Sequence, residues 1–191
     1  MKTFAFLFSG LLLLTSVFAF AGDEPRRVPL NVGDEAPNFT LKNVAGNDVE
    51  LASFKGKNTV VLYFYPKDFT PGCTAEAESF RDDHERFKKA GAVILGVSVD
   101  DLNSHKAFAS KYSLPFELLS DVGGNVSRQY GVMGWIMAKR VTYVIGRDGK
   151  IKLAYPEDDG GKHSKAVFKA VTELGPGKAP VATKAKAKPK S

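Results

Sequence analysis

Apolar and polar positions along this chain change period from segment to segment, and each change marks an element. Phe39-Thr-Leu-Lys and Asp48-Val-Glu-Leu-Ala flank Gly46-Asn47, which predicts a short hairpin. Residues 59–65 form an unbroken β-branched and aromatic run, the pattern of a strand buried on both faces and therefore central. The period then becomes helical: Ala77, Phe80, His84 and Phe87 lie 3, 4 and 3 apart, on one face of a helix running to about Lys89. Residues 92–99 predict a second buried strand, closed by Asp100-Asp101. Asp101 or Asn103 can cap the next helix, which carries Ala107, Phe108 and Tyr112. A short strand is expected over 116–119 and a helical turn over 125–130. Residues 140–145 and 150–155 predict a hairpin about Arg147-Asp148-Gly149. A last helix, about 164–174, buries Val167, Val171 and Leu174 and stops at Gly175-Pro176.

The long crossovers between the first strands require parallel neighbours. The predicted class is therefore α/β, a mixed central sheet with helices on both faces, in one domain without internal repeats. The ends of the chain read differently. Met1 and Lys2 precede an apolar run from Phe4 to Phe20 that closes with Ala19-Phe20-Ala21, which reads as a secretory signal peptide cleaved after Ala21. That run is shorter than the roughly 20 residues a membrane-spanning helix needs. An exported protein, periplasmic or extracellular and without stable membrane insertion after cleavage, is the expectation. Residues 22–29 read as an irregular lead-in, 30–177 as the folded domain, and 178–191 as a Lys/Ala/Pro tail too poor in apolar residues to order itself.

The formal charge of +6 changes little once its location is known. Lys2 leaves with the signal, and Lys178, Lys184, Lys186, Lys188 and Lys190 lie in the tail; taking those six from 27 basic residues leaves 21, against 21 acidic ones. The folded part is neutral, and a nucleic-acid face is not indicated.

The candidate chemistry centres on Cys73, the one cysteine of the chain, so no internal disulfide can form. A lone cysteine is most often a buried, inert side chain. Here, however, it follows a buried strand and falls in the first turn of the next helix, where ligands of open α/β sheets bind. The free N–H groups of that turn favour negative charge, so a thiolate is expected to be stabilised there. Thr70, three residues earlier and separated from Cys73 by the bend Pro71-Gly72, can cap the helix or place its hydroxyl beside the sulfur, where it can both donate and accept; both readings stand. Pro66 ends the strand and can wall the site.

Pro66-x-x-x-Thr70-x-x-Cys73 resembles the peroxiredoxin active-site motif. Tyr63-Phe-Tyr-Pro-Lys-Asp-Phe-Thr-Pro-Gly-Cys-Thr is similar to the subfamily called bacterioferritin comigratory protein or peroxiredoxin Q. Leu95-Gly-Val-Ser-Val-Asp, Leu118-Leu-Ser-Asp and Thr142-Tyr-Val-Ile-Gly-Arg-Asp-Gly-Lys-Ile extend the likeness, which runs from about Val32 to Leu174. The resemblance implies a thioredoxin-like fold and a thiol-dependent peroxidase that reduces hydrogen peroxide and organic hydroperoxides through a Cys73 sulfenic acid, in antioxidant defence and redox homeostasis. It makes Arg140 the active-site arginine, stabilising the thiolate and the charge on the departing oxygen. Glu76 would orient this or another basic side chain, or simply suit the helix dipole. Where many of the subfamily carry a resolving cysteine, five residues after the first, this chain has Glu78. That implies a one-cysteine enzyme whose sulfenic acid is reduced by an external thiol, be it a small thiol, a thioredoxin-like protein or a second copy of Cys73 across a dimer; a monomer or weak dimer is the expectation.

Two other readings are open. A thiol-disulfide oxidoreductase needs a second cysteine that Cys73-Thr-Ala-Glu76 lacks. A thioredoxin-fold binding protein would keep Cys73 inert. No cofactor is expected, and His84, His105 and His163 are too scattered to suggest a metal site. Trp135 and Met137, in the apolar stretch 131–138 before Arg140, can line a site for an organic hydroperoxide or partner, pack in the core, or form a lid.

Overall fold

A computed structural model describes residues 29–156 and 164–175. The expected signal peptide, the lead-in as far as residue 28 and the basic tail lie outside the described residues. Seven strands form one sheet: β1 (Thr40–Asn43), β2 (Asp48–Glu50), β3 (Thr59–Phe64), β4 (Ala92–Ser98), β5 (Glu117–Ser120), β6 (Val141–Ile145) and β7 (Ile151–Pro156). Their spatial order is β2-β1-β5-β4-β3-β6-β7. The helices are α1 (Pro71–Lys89), α2 (Leu102–Tyr112), α3 (Asn125–Gln129) and α4 (Ser164–Glu173).

The first half of the sheet is built as its crossovers require. β3 runs parallel to β4 and β4 parallel to β5, with α1 and α2 as the connecting segments. β6 then adds antiparallel to the other side of β3, with Val60 opposite Ile145 and Phe64 opposite Val141. Every residue of β3 is buried, as its unbroken apolar run demands. The expected hairpins appear as β1–β2 and β6–β7. Leu51 and Ala52, which read as strand continuation, instead enter a 3-10 turn over Leu51–Phe54. Asp101, rather than Asn103, caps α2: its Oδ1 accepts the Ser104 backbone N–H at 2.8 Å.

Alternation along β3 separates two cores. Val61, Tyr63 and, just past the strand, Tyr65 pack with Ala77, Phe80 and Phe87 of α1, Phe108 of α2, and Val167 and Val171 of α4. Val60, Leu62 and Phe64 face the opposite core, made with Leu30, Phe39, Leu51, Val126, Tyr130 and Tyr143. Both faces are covered as expected, although the longer helices α1, α2 and α4 share one of them. Leu174 is only half-buried, less than its helical spacing predicts. Gly96 has no freedom to be anything else, since a Cβ there would meet the Tyr63 hydroxyl and ring at 2.6 Å.

Candidate active site

The register that aligns β6 with β3 also builds the site. Phe64 at the end of β3 lies opposite Val141 at the start of β6. The loop leaving β3 therefore meets the residue preceding β6, which is Arg140. That loop runs through Pro66, half-buried, and into α1, where Pro71 takes the first helical position. Proline suits that place, because its missing N–H would have had no partner there. Gly72 and Cys73 complete the start of the turn, and the first intrahelical bond runs from Thr74 N–H to the Thr70 carbonyl at 2.9 Å.

Cys73 is 1% exposed, with its sulfur at the end of the helix where backbone donors gather. Arg140 Nη2 donates to Cys73 Sγ at 3.2 Å. The other arm of the fork, Nη1, donates to Glu76 Oε2. Glu76 is fully buried, whereas the Arg140 side chain keeps 16% of its surface exposed. A carboxylate taken out of water needs such a partner, and this one fixes the plane of the guanidinium. Gly72 contributes by absence, since a Cβ on it would stand 3.1 Å from Arg140 Nη2. The guanidinium thus lies across the first turn of α1 and against the sulfur.

Of the residues singled out in the sequence, Cys73, Arg140 and Glu76 are brought into one contact set. Glu76 pairs with this arginine, the contact that the first of its two expected roles requires. Thr70 is at the capping position, but its side chain makes no capping bond; the hydroxyl donates to the Lys67 carbonyl at 3.0 Å. Its lone pairs are left to accept. Glu78 is solvated on its outer side and paired with Arg81 at 3.2 Å. His84 sits half-buried on the apolar face of α1, its ring 6.3 Å from that of Phe116. Trp135 does not join the core: with Ile136 it forms the exposed tip of a hairpin closed by the Gly134 N–H donating to the Met137 carbonyl at 2.9 Å.

Sequence reasoning missed a second buried polar set beneath the same loop. Asp68 is 3% exposed, accepts from the Tyr65 hydroxyl at 2.7 Å and the Ser104 hydroxyl at 2.7 Å, and lies 2.9 Å from His105 Nδ1. His105 is fully buried, and its Nε2 meets the Leu119 carbonyl at 3.2 Å. The signal was present: His105 precedes Phe108 by three residues and Tyr112 by seven, on the inner face of α2. Burial first, and then the negative charges of Glu76, Asp68 and Cys73, hold the Tyr63 hydroxyl protonated well above the usual tyrosine range. Tyr65 is held likewise, by burial and then by Tyr63 and Asp68.

A buried thiol at a helix start, faced by a guanidinium that a buried carboxylate orients, on a thioredoxin-like sheet, defines a class of thiol-based redox enzymes. Comparison with known proteins makes the class specific. Residues 32–154 match the AhpC/TSA family. Chloroplastic peroxiredoxin Q of Triticum aestivum is 47% identical over 179 residues, covering 87% of this chain and 82% of the wheat protein. Peroxidoxin BcpB from Mycobacterium tuberculosis superposes with a TM-score of 0.72 at 32% identity, over 76% of this chain and 98% of that one. The bacterioferritin comigratory protein of Xanthomonas campestris, whose structures concern alkyl peroxide reduction, gives a TM-score of 0.67 at 32% identity, over 71% and 90% of the two chains. Three further plant relatives of the Q type are spanned over 58–60% of their length.

The chain belongs to the AhpC/TSA family. Within it the relatives are peroxiredoxins of the Q and bacterioferritin comigratory type, and this chain is a thiol-dependent peroxidase of that kind.

Proposed function

We propose that Cys73 is the peroxide-attacking nucleophile and that Thr70 and Arg140 attend it. The observation that carries this assignment is the 3.2 Å contact from Arg140 Nη2 to a sulfur seated in the first turn of α1. Two sources of positive potential converge on that sulfur, the helix start and the guanidinium, and both favour the thiolate over the thiol. The thiolate attacks the terminal oxygen of a hydroperoxide. The S–O bond forms as the O–O bond breaks, and the electron pair leaves on the second oxygen, which takes a proton to become water or an alcohol. Arg140 stabilises the negative charge growing on that oxygen, and it needs no reorientation because Glu76 already holds it. Thr70, whose proton is directed at the Lys67 carbonyl, accepts a hydrogen bond from the incoming O–O–H. Pro66, half-buried just past β3, opens the loop that leads to Cys73.

The substrates are hydrogen peroxide and organic hydroperoxides. The chain has one cysteine, so Cys73-SOH is reduced from outside: a first thiol displaces water to give a mixed disulfide, and a second thiol releases Cys73 as it is oxidised. The apolar run ending at Ala19-Phe20-Ala21 supports export, to the periplasm or beyond the cell. A mature chain beginning at Gly22 is the expected mass of the protein recovered from its native cell.

The decisive experiment is mass spectrometry after one equivalent of hydrogen peroxide in the presence of a sulfenic-acid trap. An adduct on Cys73, absent from Cys73→Ser, is expected. A wild-type protein that peroxide leaves unmodified sinks the assignment.

A further inference from the structure

Between β3 and Cys73 the backbone passes through an unfavourable conformation. Phe69 has φ of 63°, the left-handed region that a bulky side chain rarely enters. Such a conformation persists only where its surroundings over-determine it, and here they do so on both sides of the residue. Ahead of it, the Asp68 backbone N–H donates to Asp100 Oδ2 at 2.9 Å, and the Asp68 carboxylate is gripped by Tyr65, Ser104 and His105. At the residue itself, the Phe69 ring packs against Phe108 at 5.1 Å and against Tyr112 at 6.4 Å. Immediately after it come Thr70 and the first turn of α1.

The buried pair in this grip is more specific than packing requires. His105 Nε2 faces the Leu119 carbonyl, which can only accept, so Nε2 carries a proton. The contact between Nδ1 and Asp68 Oδ2 then needs a second proton held between imidazole and carboxyl. Tyr65 and Ser104 bring their own protons to the same carboxylate. Three donors from β3's end and from α2 thus converge on one side chain of the loop that carries the reactive sulfur. The peroxidase mechanism uses none of them.

We propose that Asp68 and His105 are positioning residues: the pair ties the loop to α2, holds Phe69 in its strained conformation, and so fixes Thr70 and the helix start in the geometry for peroxide attack. The inference rests on Cys73 being the peroxide-attacking thiol. Relaxing the loop should impair peroxide attack, which demands an aligned oxidant, far more than simple alkylation, which demands only an accessible thiolate.

The experiment compares two rates in each variant at pH 7: sulfenic-acid formation with hydrogen peroxide, and carbamidomethylation of Cys73 by iodoacetamide. Asp68→Asn and His105→Gln should lower the peroxide rate by about ten- to a hundredfold while alkylation stays within the same order of magnitude as in wild type. Tyr65→Phe keeps the ring and removes one donor, and should lower the ratio of the two rates in the same direction but by less. Circular dichroism identifies variants that fold, and Tyr65→Phe decides the matter if the other two do not. A folded Asp68→Asn with the wild-type ratio overturns the proposal, as does a wild-type ratio in Tyr65→Phe when the others fail to fold. A proportional fall of both rates overturns it too. If wild-type Cys73 does not react with peroxide at all, the assignment of the nucleophile fails and this inference falls with it, whereas a reactive wild type whose variants keep its ratio overturns the inference alone.

Discussion

The two faces of β3 are built from alternate residues of one strand, yet they end in different chemistry. Toward α1 and α2, Tyr63 and Tyr65 stack at 5.3 Å and carry their hydroxyls into a region bounded by Glu76, Asp68, His105 and Arg140. Toward the opposite core, Leu62 and Phe64 meet Tyr130 and Tyr143, whose hydroxyls end on backbone: Tyr143 donates to the Tyr130 carbonyl at 3.2 Å, and Tyr130 to the Pro37 carbonyl at 2.8 Å. Both layers bury aromatic rings; in the first the Tyr65 hydroxyl reaches Asp68, while that of Tyr63 makes no hydrogen bond among the described residues. Charged groups border both, with Asp34 acting on Tyr143 and Asp121 holding the start of α3 beside Val126, but only the first layer contains the sulfur and the arginine against it. With Cys73 as the proposed nucleophile, reactivity is segregated to one side of a strand that is buried on both.

If that segregation is real, substitutions on the two faces should have separable effects. The largest is expected at the site. Arg140→Met should slow Cys73 oxidation by about 10²–10³-fold, the usual effect of losing a donor aimed at developing negative charge. Trapped sulfenic acid followed against time measures it, and an unchanged rate would take Arg140 out of the mechanism. On the other face, Leu62→Ala should cost about 2–5 kcal/mol of stability in urea titration, since Leu62 is fully buried. The oxidation rate of the folded fraction should stay at the wild-type value; a parallel loss of reactivity would break the comparison.

Alkaline pH offers a finer test. Burial pushes Tyr143 up to about 12 and Tyr130 higher still. A tyrosine whose folded value is raised stays protonated where the unfolded chain would ionise. Its contribution is therefore complete below the ordinary value near 10 and is lost as pH rises from there through 12, at about 1.4 kcal/mol per pH unit for each such group. Urea midpoints at pH 9, 10 and 11 should fall accordingly, and Tyr143→Phe should flatten the fall without altering the oxidation rate at pH 7. The smallest effect belongs to His84, which burial lowers from 6.5. The unfolded chain then binds the extra proton, so stability should decline slightly as pH drops below 6.5 and should not do so in His84→Gln.

The elements themselves were legible in the sequence because their signals are local. An apolar run with β-branched residues makes β3, a 3-4-3 spacing makes the inner face of α1, and Gly46-Asn47 and Asp148-Gly149 make tight turns, whatever the rest of the chain does. Cys73 at a strand-to-helix junction was legible for the same reason, and so was the absence of a second thiol. The departures are equally physical. Leu51 and Ala52 left the strand pattern for a 3-10 turn, and the Thr70 hydroxyl found a carbonyl three residues back instead of the helix end, since a short polar side chain takes whichever backbone partner the local bend supplies.

What tertiary structure alone decided is which distant residues meet. Arg140 lies 67 positions from Cys73 and reaches it because β6 pairs antiparallel with β3 in a register that sets Val141 against Phe64. A slip of one residue would turn Val141 and its neighbours to the other face of the sheet and leave the guanidinium elsewhere. Asp68 and His105 meet for a similar reason, since β4 and β5 lie parallel beside β3 and carry α2 back over its end. Periodicity along a chain records which side of an element is buried, whereas contacts between elements depend on strand order and register, which no single segment contains.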